Sequence, residues 1–200
     1  MVNQKLQEPV LIEVKPLNLK LIKVKIKSIK DSPLIMHKLT NTDYIKRETG
    51  KEAKKKLRNF DDEFKACFHY TEDGKTGFPV EGFMGGLLDA CVALNIPKTQ
   101  IKRAVRIMGK YVEIKCRDVK RVVDNPRRSG RNGTPDERHR PYFYDWTAEL
   151  VFTYDADLIS PEQIYNLVNQ AGFSTGVGDW RPQKGGSKGM YEVDALKVLK

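Results

Sequence analysis

The segment Trp146 to Tyr154 constrains the fold of this chain more than any other. Trp146, Ala148, Leu150, Phe152 and Tyr154 alternate with Thr147, Glu149, Val151 and Thr153, the period-2 pattern of a strand with one face on a core. A helix follows with both ends marked. Ser160-Pro161-Glu162-Gln163 supplies a cap, a proline at the first helical position and a capping-box glutamine. Ile164, Leu167, Val168 and Ala171 form its apolar stripe, and Gly172 is expected to close it.

A second alternating run, Lys20 to Lys30, sets Ile22, Val24 and Ile26 against Lys23, Lys25 and Lys27, and Asp31-Ser32-Pro33 ends it. Residues 34–65 read as a polar, lysine-rich insertion, helical in part. Ala66 to Tyr70 and Thr76 to Phe78 read as a short hairpin through Glu72-Asp73-Gly74. Val80 to Leu94 has helical spacing although Gly82, Gly85 and Gly86 lower its propensity, so close packing on a sheet is expected to maintain it. Pro97 to Ile107 reads as a second short helix, Lys110 to Cys116 as a strand, the arginine-rich stretch after it as a long loop, and Met190 to Leu199 as the last strand. Without the insertions at about 34–65 and 115–142, the order is strand, helix, strand, strand, helix, strand. That predicts an α+β chain of one domain, 1–200, with a ferredoxin-like (RRM-like) βαββαβ core: an antiparallel sheet with two helices on one face. The lysines of the first strand belong on the other face, an open platform suited to single-stranded RNA.

Charge points to the partner. The 200 residues carry a formal net charge of +10, which favours nucleic acid or another polyanion. Ile45 to Arg58 holds seven cations against Glu48 and Glu52, and Lys115 to Arg140 holds nine against Asp118, Asp124, Asp136 and Glu137. Lys54, Lys55 and Lys56 in the first stretch and Arg127, Arg128 and Arg131 in the second are therefore candidate contacts in two basic arms. The run from Gly172 to Gly189 adds six glycines, Lys184, Lys188, Arg181 and Trp180. Backbone amides and cations hold phosphates, and an indole stacks on a base. Gly176, Gly178, Trp180, Arg181, Lys184, Gly185, Gly186, Lys188 and Gly189 are the candidates here.

Other chemistries find less support. Cys67, Cys91 and Cys116 are odd in number and widely spaced, so buried free thiols are expected rather than disulfides or a metal site. No metal or cofactor is expected. No stretch approaches the roughly 18 apolar residues of a membrane span. Met1 to Lys15 lacks a secretory apolar core, so a cytoplasmic location is expected. His37, His69 and His139 are the only histidines available as a general base. His37 reads as a hydrogen-bonding surface residue, His69 as partly buried, and His139 as a phosphate contact among arginines. Asp61-Asp62-Glu63 reads as a turn or helix start, and no Walker or dinucleotide fingerprint occurs. A non-catalytic binder is the expectation.

The element order, the basic insertions and the loop residues Gly176-Val177-Gly178 and Gly185-Gly186-Ser187-Lys188-Gly189-Met190-Tyr191 together resemble the RAMP superfamily of CRISPR-associated RNA-binding proteins. The likeness is to the backbone subunits that polymerise along a guide RNA, and to uncharacterised tailed-phage proteins with a similar GVGDWRP block. The family's loop commonly closes with a second glycine-x-glycine, whereas Met190 and Tyr191 follow Gly189 here. The resemblance implies a filament-forming binder of single-stranded RNA or DNA, acting in the bacterial host cell if phage-encoded. An endoribonuclease with a histidine base, and a phage interaction or inhibitor protein acting through protein contacts, are the alternatives.

Overall fold

Ile22, Val24, Ile26, Leu150 and Phe152 are all fully buried, and the two strands that carry them lie side by side. The computed structural model describes residues 16–38, 59–126, 133 and 135–199. Among them are ten strands: β1 (Leu19–Ser28), β2 (Leu34–Ile35), β3 (His69–Tyr70), β4 (Thr76–Pro79), β5 (Val105–Ile107), β6 (Tyr111–Lys115), β7 (Asp118–Asp124), β8 (Arg138–Tyr144), β9 (Thr147–Asp155) and β10 (Tyr191–Leu199). Four α-helices accompany them: α1 (Phe60–Ala66), α2 (Val80–Ala93), α3 (Lys98–Ala104) and α4 (Pro161–Ser174).

A seven-stranded sheet runs β10-β1-β9-β6-β4-β3, with β5 also pairing β9, and every pairing is antiparallel. The architecture is thus α+β with an antiparallel sheet. Phe83 and Leu87 of α2 and Ile164, Leu167 and Val168 of α4 share one core with the inward residues of β1 and β9. Their transfer from water supplies roughly 1.5–3 kcal/mol per large side chain. In β10 the apolar spacing slips from two to three between Val193 and Leu196, and the register against β1 shifts between Lys25 and Ile26. The bulge leaves Asp194 on the outer face, within reach of the β1 lysines.

The capping box at α4 forms as the sequence predicts: Gln163 donates its backbone N–H to Ser160 Oγ at 3.3 Å, and its side-chain oxygen accepts from the Ser160 N–H at 2.9 Å. Gly172, however, does not end this helix, which continues to Ser174. Gly172 is buried, and a Cβ there would overlap the Tyr191 carbonyl, so its role is to let β10 approach.

Four other expectations are corrected. The arginine-rich stretch is no long loop where it is described: β7 and β8 form an antiparallel pair, and with β2 they make a second sheet. Leu34, Ile35 and Met36 are not part of a polar insertion but are fully buried, Leu34 and Met36 against Phe143 of β8 and the rest of the main core. Residues 105–107 are strand rather than helix, because Val105 pairs with Tyr154 of β9. Ala66 belongs to α1, capped by Asn59, whose side-chain oxygen accepts from the Asp61 and Asp62 N–H groups.

Candidate nucleic-acid interface and the adjoining pocket

The run between α4 and β10 is a closed, hydrogen-bonded loop. Val177 N–H donates to the Gly189 carbonyl at 2.9 Å and Lys188 N–H to the Trp180 carbonyl at 2.9 Å, so the two limbs bridge each other. The loop is also stitched to the chain after β1. Gly189 N–H donates to the Pro33 carbonyl (2.9 Å), Asp179 N–H to the Ile35 carbonyl (3.1 Å), and Ser32 Oγ to the Ser187 carbonyl (2.8 Å). Most of its glycines answer to these close approaches. At Gly178, φ is +78° and a Cβ would stand 2.5 Å from the Ile35 carbonyl oxygen; at Gly189 it would overlap the Val177 carbonyl. Gly176 and Gly186 are similarly crowded by the chain itself, whereas Gly185 faces open space.

This frame presents one aromatic ring. Trp180 adopts φ +56°, a left-handed conformation unusual for a bulky residue, and remains 50% exposed. Arg181 beside it donates from Nη1 to the Gly178 carbonyl (2.9 Å) and from Nε and Nη2 to Gln183 Oε1. Lys184 is exposed, and Lys188 reaches the Asp31 carbonyl at 3.3 Å.

Asp179, next to Trp180 in the chain, enters an ion-pair network that sequence reasoning missed. Arg140, 3% exposed on β8, donates from Nη1 to Asp179 Oδ2 at 2.6 Å and holds Asp124 of β7 with Nε and Nη2. Tyr142 Oη donates to the same Asp124 at 3.0 Å, and burial, reinforced by that carboxylate, pushes its hydroxyl up to about 12. Burial works to raise the Asp179 carboxyl. The hydrogen bond with His37 and the charge of Arg140 outweigh it, so the carboxyl lies below its ordinary value. An acidic residue inside a cationic, glycine-rich run was the available signal, but its partner lies 39 residues away.

Lys23, Lys25 and Lys27 project from the outer face of β1, as expected, and each is paired there. Lys23 meets Glu149 of β9 at 2.8 Å, Lys25 meets Asp194 at 2.8 Å, and Lys27 lies 3.3 Å from Glu192 and 3.5 Å from Asp194. These pairs lie in solvent and are screened by salt, so each holds its lysine only weakly. No hydrogen bond or ion pair joins these lysines to the 176–189 loop among the described residues. Lys54, Lys55, Lys56, Arg127, Arg128 and Arg131 lie outside the described residues.

No protein-family model and no curated protein matches this chain. Its chemistry therefore rests on its own geometry.

A pocket of about 290 Å³ opens beside the loop. Its walls are the glycine face of α2 (Gly82, Gly85, Gly86), the loop from Thr175 to Asp179, Phe78, and the histidines His37 and His69. The α2 glycines meet different neighbours: Gly82 packs on Phe78 of β4, as close sheet packing requires, whereas Gly86 would bring a Cβ to 3.8 Å from the Gly176 carbonyl and 3.9 Å from Ala171 of α4. His37 is less a surface residue than a bridge, with Arg138 Nη1 2.9 Å from Nε2 and Asp179 Oδ2 3.4 Å from Nδ1. His69 is half-buried with Nδ1 unpartnered, and burial, with the charge of Lys38, lowers its pKa. His139 does not stand free for phosphate: it stacks on Phe60 at 4.4 Å and bonds Glu137 and Arg121. Cys67 and Cys91 are buried free thiols and Cys116 is partly exposed; burial pushes the Cys67 thiol up to about 11. No group of three His, Cys, Asp or Glu among the described residues is placed to hold a metal ion, and no described helix is long and apolar enough to cross a membrane.

Proposed function

We propose that this chain binds single-stranded nucleic acid, RNA in the first instance, without cleaving it, and assembles head to tail along the strand. The observation that carries the reading is Trp180. A half-exposed indole, held at positive φ on a braced loop and flanked by Arg181, Lys184 and Lys188, is a stacking platform with cations beside it. Burying that ring against the chain would have been the cheaper use of it.

Two further features support the proposal. The strand order β10-β1-β9-β6, with α2 and α4 contributing to the same core, supports reading the centre of the chain as a ferredoxin-like βαββαβ core. RAMP-like kinship is part of the same proposal. The net charge of +10 supplies attraction to phosphate. Assembly follows from one heterologous contact repeated along a ligand, which gives an open array unless the rotation closes it.

Purification from cells tests this directly. The protein is expected to carry nucleic acid removable by RNase, with affinity falling linearly in log salt. Protein free of nucleic acid and without affinity for oligonucleotides at low salt rejects the proposal. A second reading, an endoribonuclease, is favoured by His37 and His69 lining one pocket. Cleavage of an RNA but not of its 2′-deoxy counterpart at the same position would replace the first reading with this one.

A further inference from the structure

The pocket beside the loop contains a glycine that the chain does not need. A Cβ on Gly85 would meet nothing within 4 Å, its φ lies outside the left-handed region, and it sits exposed in the middle of α2. Glycine there weakens the helix relative to alanine, and no contact with the rest of the protein requires it. Its neighbours are accounted for: Gly82 abuts the Phe78 ring and Gly86 lies against the start of the loop. The open space over Gly85 belongs to the pocket.

The polar lining is equally selective. Three carboxylates face the pocket, and two are already engaged. Asp89 takes Lys98 at 3.1 Å and the Gln183 amide, and Asp179 takes Arg140 and His37. Glu81, in the first turn of α2, forms no hydrogen bond or ion pair through its carboxylate with any other described residue. The cation on the rim, Arg181, is bound to Gly178 and Gln183. With the Glu81 carboxylate a free acceptor, the unpartnered Nδ1 of His69 able to donate or accept according to tautomer, and Arg181 engaged, the pocket suits a neutral donor better than a phosphate. At about 290 Å³ it stands at the lower limit of small-molecule pockets, room for one ring system rather than a length of strand.

We propose that this pocket receives one unstacked nucleobase of the bound strand, with the ring laid over Gly85 against Phe78 and its donor edge on Glu81. A carboxylate offers two acceptor oxygens side by side. Guanine, with adjacent N1–H and N2–H donors, satisfies both, so guanine is the favoured base. The inference rests on the nucleic-acid reading above and gives it a sequence preference that Trp180 stacking and phosphate contacts do not supply.

The test uses the full chain and three oligoribonucleotides of equal length: a uridine–guanosine repeat, a uridine–inosine repeat, and the same strand with abasic sites in place of guanosine. Affinities are read by fluorescence anisotropy at one salt concentration. The wild type is expected to prefer guanosine over abasic sites tenfold or more, with inosine, which lacks the N2 amino group, in between. Glu81→Gln is expected to bring guanosine and inosine to the same affinity. Gly85→Leu, which fills the open space, is expected to bring the guanosine-to-abasic ratio near one. Both ratios are internal to each variant, so a change in overall affinity does not imitate the result. Circular dichroism of Gly85→Leu checks folding, and Glu81→Gln decides the matter if that variant fails. Wild-type protein that binds all three strands equally overturns the pocket assignment and leaves the binding reading standing. No binding to any of them overturns both.

Discussion

Arg140 Nη1 donates to Asp179 Oδ2 at 2.6 Å, tying the middle of β8 to the loop that presents Trp180. The same guanidinium grips Asp124 across the β7–β8 pair. One nearly buried cation therefore joins the second sheet to the glycine-rich loop. The Asp179 N–H bond to the Ile35 carbonyl of β2 ties the same sheet to the loop a second time.

Arg140→Met is expected to cost about 3 kcal/mol, because removing one partner leaves Asp124 with an uncompensated, largely buried charge. The removal of Asp179 in addition is expected to cost less than the sum of the two changes, since both act on one network. Denaturant unfolding of the single variants Arg140→Met and Asp179→Asn and of the double variant measures this. Strict additivity would mean that the two residues act independently.

Glycines in the two halves of the site are expected to respond with opposite signs. Gly85→Ala is expected to stabilise the protein by about 1 kcal/mol through helix propensity, because its Cβ meets nothing. Gly189→Ala is expected to destabilise it: φ is +66° and the new Cβ would overlap the Val177 carbonyl. Thermal unfolding of the two variants, run side by side, reads the signs.

Trp180→Ala is expected to lower affinity for single strands by about 1–3 kcal/mol, the usual worth of one stacked base. Thermal stability is expected to change little, since half of the ring already faces solvent. A large loss of stability with unaltered binding would place the indole in the packing instead.

Charge removal on the sheet face is expected to act on salt dependence. Replacing Lys23, Lys25 and Lys27 together by glutamine is expected to reduce the slope of log affinity against log salt by about two, at roughly 0.7 per single-strand phosphate contact. Stability is expected to change little, since the lost pairs are solvent-exposed. An unchanged slope would show that the lysines serve only Glu149, Glu192 and Asp194.

Two pH windows are expected. The Asp179 carboxyl is depressed in the folded state, so its stabilising contribution is present above its unfolded value of about 3.9 and is lost as pH falls below that. His69 is also depressed, by burial; the unfolded chain takes up the proton first, near pH 6.5, and stability falls as pH drops below it. Asp179→Asn is expected to flatten the lower window and His69→Gln the upper one in stability measured against pH. A wild-type curve flat from pH 7 to 5 would contradict the second assignment.

What the sequence made legible was local. Ile22, Val24 and Ile26 alternate with lysines, and Ser160 to Gln163 announces a helix start, so β1, β9, β10, α2 and α4 are readable without a structure. β7 and β8 are not, because charged residues fill their exposed positions and Pro141 interrupts the second of them, features that read as loop. Leu34 to Met36 is too short to show a period, and only the proximity of Phe143 reveals it as core. Trp180 and its neighbouring cations stand out by residue type. The pocket does not, since Glu81, Gly85 and the two histidines come from segments brought together only by the packing of α2 beside the loop.

The pairing of β1 also has a consequence for synthesis. Its two neighbours are β9 and β10, so the strand meets its first partner only about 120 residues after it has been made. At roughly 5–20 residues per second on the ribosome, the backbone edges of β1 wait about 6–24 s for a partner strand. Fragments that stop short of β9 therefore leave β1 without either of its partner strands, two open edges available to other chains.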